Sequence, residues 1–197
     1  LLWSGQAQAV GTIEGPAVTW EKSHPYRYGD FYGNVQRGTN GEIFFSRQAA
    51  DKRTYEIVRV EQSGTLTVTQ TVTDEKLGRL SHFIQTKDGG FLLAGLTRSN
   101  DPEGNLRLIK VNGDGEIAWA NTYPKYVGLD IRLLQTDDGG YVLAAVLEQP
   151  DRSTELYLAK LEQDGKPKWE TTFEGAAYDA VTAVRQTVDG GIVLLGA

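Results

Sequence analysis

A six-residue phrase, Gln85-Thr-Lys-Asp-Gly-Gly90, returns as Gln135-Thr-Asp-Asp-Gly-Gly140 and as Gln186-Thr-Val-Asp-Gly-Gly191, at steps of 50 and 51 residues. A period of that length means that one supersecondary unit has been copied and stacked, because a single copy is too small to bury its own apolar face. The repeated residues then belong to the scaffold. Specific function falls to connections that do not repeat, which tolerate change without unfolding the protein.

Each phrase sits between apolar runs, with Ile131-Arg-Leu-Leu134 before one copy and Phe91-Leu-Leu-Ala94, Tyr141-Val-Leu-Ala144 and Ile192-Val-Leu-Leu195 after the three. Two strands joined by a tight turn fit this pattern. Asp-Gly and Gly-Gly supply the positive φ angles of primed hairpin turns. A second hairpin follows, in which Leu106-Arg-Leu-Ile-Lys110 and Leu156-Tyr-Leu-Ala-Lys160 alternate with strand period, then break at Asp114-Gly115 and Asp164-Gly165 before Trp119 and Trp169. The reading is four short strands per copy, all-β throughout, in one domain over residues 1–197.

A weaker copy comes first, with Gln36 opening it, Asn40-Gly41 at the turn, Ile43-Phe-Phe45 as the second strand, Tyr55-Glu-Ile-Val-Arg59 as the third, and Val68 where tryptophan is expected. Trp20 precedes Gln36 by the same interval that separates Trp119 from Gln135, so a partial copy opens the chain. From turn glycine to tryptophan position, Gly89–Trp119 and Gly139–Trp169 are equal in length, and Gly41–Val68 is slightly shorter. The stretch from Gly190 to the last residue and the stretch from Leu1 to Trp20 together equal Gly41–Val68 in length, as one copy split between the termini would. Pairing of the terminal segments would close the array and remove exposed sheet edges. The competing reading is an excised window of a longer array.

Composition narrows the partners. Lys and Arg number 20 against 26 Asp and Glu, a net charge of -6 that repels phosphate backbones and argues against nucleic acid. The absence of cysteine removes disulfides, thiolate chemistry and Cys-ligated zinc. No apolar run approaches the roughly 20 residues of a membrane helix, so membrane insertion is not expected. Ala7-Gln-Ala9 has the small-residue form of a signal-peptide end, but the repeat phase reaches back through it.

The Gln-Thr-x-Asp-Gly-Gly-aromatic phrase, the Leu-x-Leu-x-Lys strand and the Asp-Gly-x-x-x-Trp ending resemble the roughly 50-residue β-propeller repeats of secreted and cell-surface proteins of bacteria and archaea. Asp114–Trp119 and Asp164–Trp169 are also similar to the tryptophan-docking motif of quinoprotein-type propellers, whose indole wedges between adjacent blades. The resemblance covers nearly the whole chain and implies an all-β propeller of about four four-stranded blades in an extracellular, cell-surface or periplasmic protein. The chain departs from the pattern at Val68 and Gly11.

The candidate chemistry is weighed against plain packing. Asp88, Asp138 and Asp189 could be offered to calcium, but one carboxylate per hairpin falls far below the six to eight oxygens that ion takes, and turn geometry already explains them. Arg59, Lys110 and Lys160 share one position of the third strand, where they either pair with the turn aspartates or face solvent. His24 and His82 lie in different copies without metal-binding spacing, and no nucleophile, base and oxyanion signature accompanies Ser81. Neither a metal, a cofactor nor an enzyme activity is expected.

The segment His24-Pro-Tyr-Arg-Tyr-Gly-Asp-Phe-Tyr32 crowds four aromatics and an arginine into one connection between copies. Rigid aromatics with arginine dominate recognition hot spots and sugar stacking, so His24, Tyr26, Arg27, Tyr28, Asp30, Phe31 and Tyr32 are candidate ligand-binding residues. Tyr123, Tyr126 and Tyr178 occupy matching connections. The alternative is that these rings cap the ends of the apolar core. The polar connections from Thr97 to Asn105 and from Glu148 to Thr154 are expected on the same face. A non-enzymatic module for protein binding, adhesion or assembly follows, with a lectin-like domain or a fibre unit as alternatives and a quinoprotein-like enzyme as the least favoured. The partner would be a protein or glycan on the loop face.

Overall fold

The computed structural model describes residues 32–98, 104–149, 151, 153–174 and 180–196. Among the described residues, fourteen strands form four antiparallel sheets, each a simple meander. The first holds β1 (Tyr32–Arg37), β2 (Ile43–Gln48), β3 (Thr54–Val60) and β4 (Leu66–Thr73). The second holds β5 (Leu77–Gln85), β6 (Phe91–Thr97), β7 (Leu106–Val111) and β8 (Ile117–Tyr123). The third holds β9 (Val127–Gln135), β10 (Tyr141–Glu148), β11 (Thr154–Leu161) and β12 (Pro167–Glu174). The fourth contains β13 (Val181–Gln186) and β14 (Ile192–Gly196). The expected all-β repeat is present among the described residues as sheets of 4, 4, 4 and 2 strands, none closed on itself.

The sheets stack face to face, which explains why β6 and β10 read as unbroken apolar runs. Successive residues of a strand point to opposite faces, and here both faces are covered. Phe91 and Leu93 pack toward the first sheet with Phe44, Tyr55 and Ile57, while Leu92 and Ala94 pack toward the third with Ile131, Leu143 and Tyr157. The third sheet repeats the device, sending Tyr141, Leu143 and Ala145 one way and Val142, Ala144 and Val146 the other, against Val181 and Val184. First strands adjoin first strands: β1 packs beside β5, β5 beside β9, and β9 beside β13.

The repeated phrase does more than turn the chain. Its hairpins are not two-residue primed turns: a β-turn from Thr86 to Gly89 closes with Gly89 N–H on the Thr86 carbonyl at 2.9 Å, and only the first glycine has positive φ, +81° at Gly89 and +83° at Gly139. The second glycine answers to space. A Cβ on Gly90 would lie 2.1 Å from the Val111 carbonyl oxygen. Asp88 Oδ1 accepts from the Thr86 hydroxyl and from Gly90 N–H, and Asp88 Oδ2 accepts from Lys110 Nζ at 2.7 Å. Thr136, Asp138, Gly140 and Lys160 repeat the same set of partners, with Lys160 Nζ donating to Asp138 Oδ1 at 3.0 Å. Lys110 and Lys160 are therefore buried partners of the turn aspartates, whereas Arg59, in the copy with Asn40 in place of aspartate, pairs with Glu61 instead. Burial alone would raise the Asp88 carboxyl, but the Lys110 and Thr86 hydrogen bonds hold it below the usual range.

Two kinds of contact join one sheet to the next. At the inner edge, the glutamine of each phrase reaches back: Gln85 Oε1 accepts from Thr39 N–H at 2.8 Å, Gln135 from Lys87 N–H at 2.7 Å and Gln186 from Asp137 N–H at 3.0 Å. In the first copy the position is held by Arg37, since Gly38 pairs across its turn as Thr86 does; Gln36 sits one residue earlier than the motif alignment placed it. At the outer edge the contact runs forward. Trp119 Nε1–H donates to the Gln163 carbonyl at 2.8 Å, its indole covers Gly165, and Tyr123 O–H donates to the Gly165 carbonyl. Between the first two sheets the place opposite Arg59, which tryptophan holds opposite Lys110 and Lys160, belongs to Thr67 and not to the expected Val68, and Gln70 Nε2 donates to the Asn112 carbonyl at 3.1 Å.

Candidate functional site

The connection from β8 to β9 is pinned from both sides. Asn105 N–H donates to the Lys125 carbonyl, Asn105 and Val127 exchange two bonds at 2.9 and 2.7 Å, and Glu148 N–H donates to the Tyr126 carbonyl at 2.9 Å. Lys125 Nζ reaches Glu170 at 3.2 Å and lies over the Tyr157 ring. Tyr157 O–H donates to Glu170, and burial followed by that acidic partner pushes its pKa far up. The connection thus meets the β6–β7 and β10–β11 connections on one face, as the sequence leads one to expect.

On this face the candidates separate. Tyr123 is 6% exposed, with its hydroxyl spent on Gly165 and its pKa raised to about 12, chiefly by burial; it is a packing residue. Tyr126 is 59% exposed and stands beside an open cleft of about 580 Å³ with Pro124, Leu147 and Glu148. Tyr32 opens β1. His24, Tyr26, Arg27, Tyr28, Asp30, Phe31 and Tyr178 lie outside the described residues.

The structure brings forward a second place. At the turn end of the inner strands, β1, β5, β9 and β13 surround an open cavity of about 540 Å³. His82 lies in its wall, buried, with Nδ1 accepting from Leu133 N–H at 3.3 Å and Nε2 placed 2.9 Å from the Gln36 amide. With Nδ1 accepting, a neutral ring carries its proton on Nε2, which faces Gln36 Nε2, and turning the Gln36 amide over would set its oxygen to accept that proton. Burial, then Arg132 and Arg185, lower the His82 pKa to about 4, so the ring is neutral at pH 7. Sequence pattern alone could not find this cavity, because Arg132 and Arg185 fall at different positions of their copies and meet only through the stacking of β9 on β13.

Among the described residues, no group of three or more His, Asp or Glu side chains is placed to hold a metal ion, and no helix is long and apolar enough to cross a membrane. No protein-family model and no curated protein matches the chain. Among solved structures it is similar to a hypothetical protein from Leishmania major, with a TM-score of 0.50 at 12% identity over 85% of this chain. The chain spans 62% of that protein's length. A protein of unknown function from Bacteroides caccae also aligns, with a TM-score of 0.40 at 14% identity over 89% of this chain and 73% of the other.

Proposed function

We propose that this chain is a non-enzymatic β-propeller module of the secreted and cell-surface repeat type, built for recognition of a protein ligand on the face where its connections converge. The observation that carries the reading is Tyr126, a largely exposed ring on a connection that hydrogen bonds have already ordered from both sides. A pre-ordered aromatic loses little entropy on binding, which is what a contact hot spot requires. A lectin-like use of the same ring is the second reading, since an exposed aromatic face also stacks on sugars.

Propeller closure is part of the proposal. The fourth sheet has two described strands where the others have four, β14 exposes Val193 and Leu195, and on the third sheet Trp169 and Phe173 are 42% and 46% exposed. Residues 1–20 have the length to supply the two missing strands. Trp169→Ala would then destabilise the full chain by about 3 kcal/mol, as loss of a docked tryptophan does; a loss under about 1 kcal/mol refutes closure.

Binding is tested with the purified chain against a panel of extracellular proteins by surface plasmon resonance and against a glycan array, each beside Tyr126→Ala. A protein ligand that the variant binds at least tenfold more weakly supports the reading. Glycan hits alone favour the lectin, and no hit on either, or equal binding by the variant, sinks both.

A further inference from the structure

Arg37, Lys87, Arg132, Arg185 and His82 line the inner-strand cavity, and among the described residues no carboxylate does. This is a reversal of the chain as a whole, in which acidic residues outnumber basic ones 26 to 20. Lys87 is shared with Asp137 at 3.2 Å. Arg37, Arg132 and Arg185 form no ion pair among the described residues.

The two inner arginines are aimed without being used up. Arg132 Nε donates to the Thr182 carbonyl at 3.1 Å and Nη1 to the Ile131 carbonyl at 2.9 Å, while Arg185 Nη1 donates to the Val184 carbonyl at 2.7 Å. A guanidinium has five N–H donors, so these bonds orient each fork and leave most of it open. Both guanidiniums line the cavity beside His82 with no carboxylate among the lining residues. His82 reports the same field, since Arg132 and Arg185 add to burial in disfavouring its protonated form. A counter-charge is the missing part of the arrangement. The cavity, at about 540 Å³, has the size of sites for small organic ligands, larger than one inorganic ion needs.

We propose that the cavity between β1, β5, β9 and β13 binds a small soluble polyanion bearing carboxylate or phosphate groups, gripped by the open forks of Arg132 and Arg185, with Arg37 also in its lining. Guanidinium recognises both oxyanions in the same bidentate geometry. This site lies at the turn end of the strands, away from the Tyr126 face, and does not depend on the ligand proposed there.

Isothermal titration of the full chain with citrate and with pyrophosphate, against chloride at matched ionic strength, tests it. Saturable binding at one site is expected for at least one of the two probes, and the better probe distinguishes a carboxylate from a phosphate ligand. Arg132→Gln with Arg185→Gln weakens it at least tenfold, and Tyr126→Ala leaves it unchanged. A readout on the unaltered protein guards against misfolded variants: NMR titration of His82 shows its pKa rising at saturating anion, because the bound charge offsets the arginine field. Heats no greater than those of chloride, unchanged affinity in the double variant, sensitivity to Tyr126→Ala, or a His82 titration that the anion does not move overturns the proposal.

Discussion

Acidification should weaken this protein through one imidazole before most carboxylates titrate. His82 is neutral and buried in the folded chain with a pKa of about 4, against about 6.5 in an unfolded chain. Between those values the unfolded state binds the proton and the folded state does not, so stability rises with pH. The contribution is complete above about pH 6.5 and is lost as pH falls toward 4. The full shift corresponds to roughly 3 kcal/mol, of which about 2 kcal/mol is lost between about pH 7.5 and 5. Urea unfolding of the wild type and of His82→Gln at a series of pH values isolates this amount, because all other titrating groups, His24 included, are common to both chains. Over that range the stability difference should shift against the wild type by about 2 kcal/mol, the part of the linkage that falls within it. Parallel pH curves, or a wild type that gains on the variant as pH falls, would refute the assignment of a neutral, field-depressed His82.

Other changes separate roles that look alike in the sequence. Gly89→Ala should cost about 1 kcal/mol, because its positive φ is strained for alanine although the space is open, whereas Gly90→Ala should cost roughly 3 kcal/mol or more, because its Cβ would drive Val111 away; thermal unfolding ranks the two. Asp74→Ala should cost about 3 to 5 kcal/mol in urea, since it leaves Arg107 buried without the carboxylate that meets it at 2.7 Å and that also accepts from Leu77 N–H. Gln135→Ala removes one acceptor from an exposed turn and should cost only about 1 kcal/mol, with faster hydrogen exchange at the Lys87 amide as its local signature.

Much of the scaffold could be read from the chain because each repeated residue type has a local job. Asp-Gly-Gly marks a turn wherever it occurs, and alternation in Leu106–Lys110 marks a strand. The pairing of Lys110 with Asp88 remained open because sequence cannot say whether a strand residue is covered by its neighbour; burial by the adjoining sheet decides it. The one-residue offset at Arg37 is not legible in the sequence because Gln36 supplies the expected letter while the turn is set by Gly41. Tyr123 and Tyr126 are the same residue type three positions apart, and only the pinned geometry of their connection sends one ring inward and the other out. The glutamine contacts and the arginine-lined cavity join residues that lie one repeat apart in different copies, a juxtaposition made by stacking and invisible to spacing within one copy.

Gln85, Gln135 and Gln186 reach backward and Trp119 reaches forward, which gives the array a polarity. The second sheet carries both, with Gln85 turned to the sheet before it and Trp119 to the sheet after it. A duplicated copy inserted between two others would meet a matching contact at both seams on arrival, with nothing new to invent. Growth and loss of copies by gene duplication are therefore structurally cheap in the interior of the array.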